Sequence, residues 1–478
     1  MISLIVNPSI TYPEETDFYS PDERFPEYRY AHISRSRNPV YRAVRECIAQ
    51  AGLDREHFGT PSWNPLGEYI ASGSRVFVLC NFVLNRQSRE TAENFTAKCT
   101  HGSVLRAVAD YLLLAVGQDG SIGFGNAPMQ HCDWDSVLRE TGAQTVLEFY
   151  RSVEAPVEAK DLRLFVTQKN RIGKITKFNR RPESDGVSVN LGADSLMAEL
   201  DRYPLTPYGI MNYNPHRLEI FHSDGNHLYV INRQILEADT VLSLPKLKTH
   251  EKTGITCALK NYVGSVGHKD SLPHYRLGGP EIGGDEYPAG KSCLLRRALA
   301  FHYQVQRTVP GSRWGNTLRI VDRFTRRCVS RWAPITEGGW FGNDTGWRMV
   351  LDLVRIMTHA NPDGEMESTP CRRHLAFVDG IVGGEGEGPL SVNAVQSGLL
   401  LFSDNLVATD FACALMMGFD PERLPMLREA LRLSKYPLTD RSLADEEVVY
   451  NARSSSISEL GSLARHHYEQ SAGWREKL

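Results

Sequence analysis

RVFVLCN, Arg75 to Asn81, is an unbroken apolar run between a charged residue and an amide. A strand with one wet face alternates apolar and polar residues. An unbroken run predicts a strand covered on both faces, the habit of parallel sheets. Downstream, Gly102 to Val116 predicts a helix whose Val104, Leu105, Val108, Leu112 and Leu113 form its inner stripe, and Ser121 to Phe124 predicts a second strand. Asp135 to Thr141 follows as another helix. The βαβα order predicts an α/β fold, a mostly parallel sheet with helices on both faces. Ligands in such sheets bind beyond the carboxyl ends of the strands. That rule points to Asn81 and to Asn126, His131 and Asp133 in the loop GNAPMQHCDWD, although Asp133 also reads as a helix N-cap.

The densest chemistry lies in LSLPKLKTHEKTGITCALKNYVGSVGHK, Leu242 to Lys269. Val241, Leu242 and Leu244 predict a buried strand that Pro245 closes, which puts the following residues on a loop. Lys246, Lys248, His250, Lys252, Lys260 and Lys269 are punctuated by glycines, whereas an ordinary surface helix interleaves acidic partners. The cluster therefore reads as an anion site, with Lys252 a solvated loop charge. Gly254 to Val263 predicts a helix with Ile255, Leu259 and Val263 on one face, beside which Lys260 and Asn261 fall. A lysine there is partly desolvated and needs an anion or a carbonyl.

Between Glu158 and Asn232 the pattern loosens. Strand candidates at Leu162 to Gln168, Gly186 to Leu191 and Leu228 to Ile231 alternate with polar residues and predict an antiparallel elaboration. PHYRLGGPEIGGDEYPAG, Pro273 to Gly290, reads as a lid carrying His274, Asp285 and Glu286. Helices are predicted over Lys291 to Gln306, Asn316 to Arg327 and Gly346 to Met357, the last capped by Asp344 or Thr345. His374 to Val378 predicts a strand delivering Asp379 to the loop GIVGGEGEG, where Glu385 and Glu387 stand two apart. Two carboxylates held close bind a cation or share a proton, or they neutralise the basic cluster. Leu399 to Phe402 is a further strand, and Asp410 rides the helix after it, needing a buried partner if it faces inwards.

PKLKTH and GITCALKN in the basic stretch, VDGIVGGEGEGP at Val378 to Pro389 and SGLLLFSDNLVATDFACALMMGFDP at Ser397 to Pro421 together resemble the domain of unknown function 362 family. The resemblance runs from about Arg75 to Pro421. Many members of that family carry a ferredoxin-like cysteine cluster. The nine cysteines here include no CxxC, which speaks against an iron–sulfur cluster. His250, Gly254, Thr256 and Lys260 also resemble a segment of the nickel-pincer lactate racemases. That resemblance implies a metal role for His250 and a covalent cofactor on Lys260, although Cys257 and Ala258 replace that family's glycine pair.

A chain of 478 residues exceeds one typical core. Three parts are expected: a lead-in over 1–74 with a helix at Pro39 to Ala51, an α/β body over 75–421 with candidate subdomains 75–157 and 158–421, and a C-terminal helix and mobile tail over 422–478. A net charge of −3 gives no support to nucleic-acid binding. The opening MISLIVNPSITYPEE has no basic n-region, and no apolar run has the length of a membrane span. Scattered cysteines fit reduced thiols and a cytoplasmic location. The function expected is an enzyme acting on a small anionic metabolite, carboxylate or phosphate, by acid–base, metal-assisted chemistry such as isomerisation. His250, Lys260 and Glu385 would be catalytic, and Lys246, Lys248, Asn261, Asn81 and Asn126 would bind substrate. A divalent metal would take His250, Asp379, Glu385 and Glu387. The alternative is a noncatalytic anion- or partner-binding module.

Overall fold

The computed structural model describes residues 1–169, 175–203, 206–210, 215–307, 317–318, 320–322 and 335–478. Most of the helix expected over Asn316 to Arg327 lies outside the described residues. Eleven strands among the described residues form the main sheet. In chain order they are β1 (Ile2–Val6), β2 (Arg75–Cys80), β3 (Ser121–Asn126), β4 (Val157–Asp161), β5 (Thr240–Leu244), β6 (Lys246–His250), β7 (Gly254–Thr256), β8 (Arg373–Glu387), β9 (Ser391–Ser403), β10 (Val448–Tyr450) and β11 (Arg453–Ser455). The helices used below are α1 (Pro39–Gln50), α2 (Ala92–Lys98), α3 (Gly102–Val116), α4 (Trp134–Thr141), α5 (Ala143–Ser152), α6 (Ala258–Asn261), α7 (Cys293–Arg307), α8 (Gly346–His359) and α9 (Leu406–Met416).

Across the sheet the order is β11-β10-β1-β9-β8-β5-β2-β3-β4, while β6 pairs with β8 and β7 with β6. From β8 to β4 the neighbours are parallel. β9 runs antiparallel to both β8 and β1. Successive residues of β2 go to opposite cores. Val76, Val78 and Cys80 pack with α1, α3, α4 and α5, whereas Phe77 and Leu79 pack on the side of α8 and α9. β5 divides likewise, Leu242 and Leu244 to the first core and Val241 to the second. Burial on both faces explains the unbroken apolar runs. The expected antiparallel elaboration is also present, Gly186–Asn190 pairing antiparallel with Asn226–Asn232.

The topology positions the site. From β2 the chain moves outward through β3 to β4, then returns to lay β5 on the opposite side of β2. Where strand order reverses, the connections leave in opposite directions and a crevice opens at the carboxyl ends.

Several local expectations are corrected. Residues 246–250 form β6 rather than a loop, because β8 continues past the end of β5 and offers a free edge. Pro245 lacks an N–H for the ladder, and pairing resumes with Lys246 opposite Asp379 and Lys248 opposite Gly384. Gly254 adopts φ +81° at the β6–β7 hairpin, so Ile255 lies on a strand and the expected helix shrinks to α6. GIVGGEGEG is likewise no loop but the outer half of β8. Its glycines serve close approach: a Cβ on Gly384 would stand 3.0 Å from both the Ala97 carbonyl oxygen and the Lys248 Cβ.

The lead-in is not merely wrapped on the body, since β1 lies between β9 and β10. The division at 157/158 cuts through β4, and β5 rejoins the same sheet beside β2. The tail expected to be mobile supplies β10 and β11, and Leu460, Tyr468 and Trp474 anchor it in the core. Asp133 caps α4 as read, accepting from the Ser136 N–H. Thr345 takes the N-cap position of α8 as read, but the capping side chain is that of Asn343, whose Oδ1 accepts from the N–H groups of Thr345 and Gly346. Asp410 finds its buried partners in the N–H groups of Ala258 and Leu259.

Candidate anion-binding site

A cavity of about 140 Å³ lies where the ends of β2 and β3 meet the β6–β7 hairpin, α6 and the turn after it. Asn81 follows β2, and Asn126 is the last residue of β3. The Asn81 Oδ1 accepts from Lys248 Nζ at 2.7 Å, and its Nδ2 donates to Asn261 Oδ1 at 3.0 Å. Asn261 in turn donates to the Leu79 carbonyl oxygen at 2.6 Å and to Ser243 Oγ at 3.2 Å. The relay fixes both amide orientations and ties α6 to the ends of β2 and β5. Lys248 also donates to the Lys98 carbonyl oxygen. Burial, reinforced by the charges of Lys98, Lys246 and Lys260, brings its ammonium down to about 7.

Four lysines line the cavity with His250 and His274, against the single carboxylate of Glu251. Three of the ammonium groups are held by the protein: Lys248 as described, Lys252 by Glu251 Oε1 at 2.9 Å and the Glu337 carbonyl oxygen at 2.7 Å, and Lys269 by the Val263 carbonyl oxygen at 2.8 Å. The half-buried ammonium of Lys260 has no hydrogen-bond or ion-pair partner among the described residues. Burial, then the charge of Lys252, lowers it to about 8. His250 is buried, and its Nδ1 accepts the Lys252 N–H at 3.1 Å, which places the imidazole proton on Nε2. Burial first, then Lys260 and the other nearby cations, holds it well below its usual value and thus neutral. His274 is held down to about 3 by burial and by Lys252, and its Nδ1 donates to the Leu272 carbonyl oxygen at 2.9 Å.

Two buried polar atoms on the cavity wall have no hydrogen-bond partner among the described residues, Asn126 Oδ1 and Thr256 Oγ1. Because Asn126 Nδ2 donates to the Phe82 carbonyl oxygen at 3.1 Å, the amide orientation is set and Oδ1 is an unused acceptor. Buried polar groups are rarely left unpaired without a functional reason.

The structure brings Asn81, Asn126, Lys248, His250, Lys260 and Asn261 together at this cavity. It does not bring Lys246, Asp379, Glu385 or Glu387 there. Lys246 is wholly buried, its Nζ donating to Asp379 Oδ2 at 2.8 Å and to the Tyr12 hydroxyl at 2.7 Å. The Asp379 carboxylate further accepts from Tyr12 and from the His101 N–H. Side chains alternate along β6, so Lys246 and Lys248 share one face, yet Lys246 stops short of the cavity at the β8 edge. Glu385 accepts from His466 Nε2 at 2.9 Å and from the Glu469 N–H at 2.8 Å, and Glu387 from the Ala472 N–H at 2.7 Å. Both carboxylates bind the C-terminal segment rather than the lysines.

The expected metal set of His250, Asp379, Glu385 and Glu387 is therefore corrected. Among the described residues no group of three His, Cys, Asp or Glu side chains is assembled to share a cation, and His250 stands among ammonium groups that repel one. These four residues therefore do not form one metal site. The Pro273–Gly290 lid is corrected in part. His274 does reach the cavity, but Asp285 is buried and accepts from the Thr345 hydroxyl and the Asp344 N–H, and Glu286 accepts from the Gly278 N–H. Sequence reasoning offered His274 as a ligand that the lid could bring down and counted Lys269 in the basic cluster, but it passed over Thr256 as a ligand group and read Lys252 as solvated. Thr256 lies within the basic stretch, where its side-chain direction was not legible. Apolar lining by Phe82, Met129 and Leu272 left no signal.

Fold and cavity define an open α/β protein with a cationic cavity at the carboxyl ends of its parallel strands. Residues 196–415, a little under half of the chain, match the family described as Domain of unknown function (DUF362). The match spans the hairpin side of the cavity, while Asn81 and Asn126 lie outside it. A thylakoid-associated protein of Synechocystis sp. is 23% identical over 252 residues, 53% of each chain. The chain thus spans about half the length of that relative. A crystal structure of a Thermotoga maritima protein covers 77% of this chain and 58% of its own at 14% identity, with a TM-score of 0.32 that carries no argument. Among the described residues no helix is long and apolar enough to cross a membrane.

Proposed function

We propose that the cavity binds a small anionic metabolite, a carboxylate or phosphate, and moves a proton on it, in the manner of an isomerase. The observation that carries this reading is the unpartnered Lys260 ammonium among cations that the protein has otherwise satisfied. An uncompensated buried charge is costly, so an anion that pairs with it supplies what the fold leaves out. Lys248, Lys252 and Lys269 keep donors to spare, because each ammonium has three and the protein uses one or two. The neutral His250, with its proton on Nε2, donates to a ligand oxygen, and Lys260 near 8 exchanges a proton close to neutral pH. The location that goes with this reading is cytoplasmic, in keeping with the eight described cysteines, all free thiols.

The test is a screen of the protein against hydroxy acids and phosphorylated metabolites, with and without nickel, iron, manganese or magnesium, followed by calorimetry and turnover assays. His250→Ala and Lys260→Ala are expected to abolish turnover with thermal midpoints within a few degrees of the parent. Retained turnover in both variants refutes the assignment. Ligand binding without any turnover in the parent makes the protein an anion-binding module instead.

A further inference from the structure

We propose that Lys260 is a nucleophile that forms an imine with a small 2-oxo acid held by its carboxylate among the other cavity cations. The proposal rests on the anion-binding reading and specifies the ligand, an anion that also carries a ketone. Its first support is the division of labour among the lysines. Lys248, Lys252 and Lys269 are tied down by Asn81, Glu251 and backbone carbonyl oxygens, which fixes the direction in which each nitrogen points. Of the four, Lys260 alone has no such tether among the described residues, so its nitrogen is free to turn its lone pair towards a ligand. A lysine beside other cations and partly withdrawn from water is the environment that frees an amine for attack on a carbonyl. The value of about 8, set by burial and the Lys252 charge, accords with this by leaving part of the population neutral near pH 7 to 8.

The second support comes from the two orphaned wall atoms. A simple carboxylate is flat, has acceptors only and would leave Asn126 Oδ1 unmatched. Imine formation passes through a carbinolamine, which carries both an O–H and an N–H and can donate to that oxygen. Thr256 Oγ1, a donor and an acceptor, suits the proton movements on the same intermediate. The size fits as well, since about 140 Å³ lined partly by Phe82, Met129 and Leu272 admits an acid of a few carbon atoms.

The step balances within these groups. The Lys260 lone pair closes a C–N bond to the ketone carbon, and the C=O π pair moves onto oxygen, which takes the proton that the nitrogen gives up. The resulting hydroxyl leaves as water with the C–O pair and one proton from a neighbouring ammonium. The product is a protonated imine and one water, with no oxidant or reductant involved. An iminium acidifies the adjacent C–H, so proton transfer on the bound ligand is the chemistry it would serve.

The experiment treats the full-length protein with pyruvate and sodium cyanoborohydride across pH 6.5 to 9, roughly bracketing the Lys260 value, with intact-mass and peptide-mapping readouts. Calorimetry with pyruvate and with inorganic phosphate runs in parallel. The expected result is one reduced pyruvate adduct on Lys260, forming faster as pH rises through about 8 and absent in Lys260→Arg, which keeps the charge without the nucleophile. Pyruvate binding without an adduct, an adduct on another lysine, or an adduct surviving in Lys260→Arg overturns the imine while leaving the anion site standing. Phosphate binding without pyruvate binding does the same. Binding of neither anion overturns both readings.

Discussion

Lys260→Met isolates the charge of the free ammonium while keeping most of the side chain's length. In the folded protein that ammonium has lost water and gained no partner, and burial with Lys252 lowers it from 10.5 to about 8. A shift of that size corresponds to at most about 3 kcal/mol of disfavoured charge. Water still reaches the half-buried group, and screening reduces the figure to about 1–2 kcal/mol. Between pH 8 and 10.5 the unfolded chain holds this proton and the folded protein does not, so the parent gains stability as pH rises across that window. The variant lacks the titration. It is therefore expected to be more stable than the parent by about 1–2 kcal/mol at pH 7, a few degrees in midpoint for a protein of this size, with the advantage gone by pH 10.5. Urea unfolding at a series of pH values measures both quantities, and the same protein should have lost anion binding. A Lys260→Met protein that is less stable than the parent at pH 7 refutes the reasoning, because it means that the ammonium has a stabilising partner.

Two further outcomes follow from the residues that the structure moves out of the site. Asp379→Asn leaves the wholly buried Lys246 ammonium without its counter-charge and should cost about 3–5 kcal/mol in urea unfolding, whereas a solvated pair would cost almost nothing. Glu385→Gln together with Glu387→Gln should leave anion affinity unchanged by calorimetry and loosen the 466–472 segment, read as faster proteolytic clipping near Tyr468; weakened anion binding with an intact segment would return these carboxylates to the cavity.

The parallel core was legible because burial on both faces of a strand leaves a trace that needs no partner: VFVLC in β2 and VLSL in β5 are apolar whichever strands flank them. The site was legible at Asn81 and Asn126 for a related reason, since strand ends are where such sheets bind ligands, and at Lys248, His250 and Lys260 because cations without acidic neighbours stand out. Lys246 shows the limit. It has the same composition and the same sequence neighbourhood as Lys248, and what separates them is the edge of β8, which arrives more than a hundred residues later. The glycines of 380–388 misled for the opposite reason. They mark close approach of Gly384 to Lys248 and Ala97 rather than a tight loop, and a glycine is silent about which of these it permits. The tail read as mobile from its serines and charges, while Tyr468 and Trp474, sparse among them, supply the apolar contacts that fix it.

The position of β1 bears on how the chain is made. Ile2–Val6 leaves the ribosome roughly 400 residues ahead of its register partners, Leu399 to Ser403 on one side and Val448 to Tyr450 on the other. Until those partners emerge this apolar segment has both edges open and nothing native to pair with, the circumstance in which nascent chains associate with one another or are taken up by chaperones. The β2–β3–β4 unit can close while synthesis continues, but the sheet acquires its far edge only after the last strands emerge. Assembly of the sheet therefore waits for β9, β10 and β11, and the closure of long loops should make that step slow.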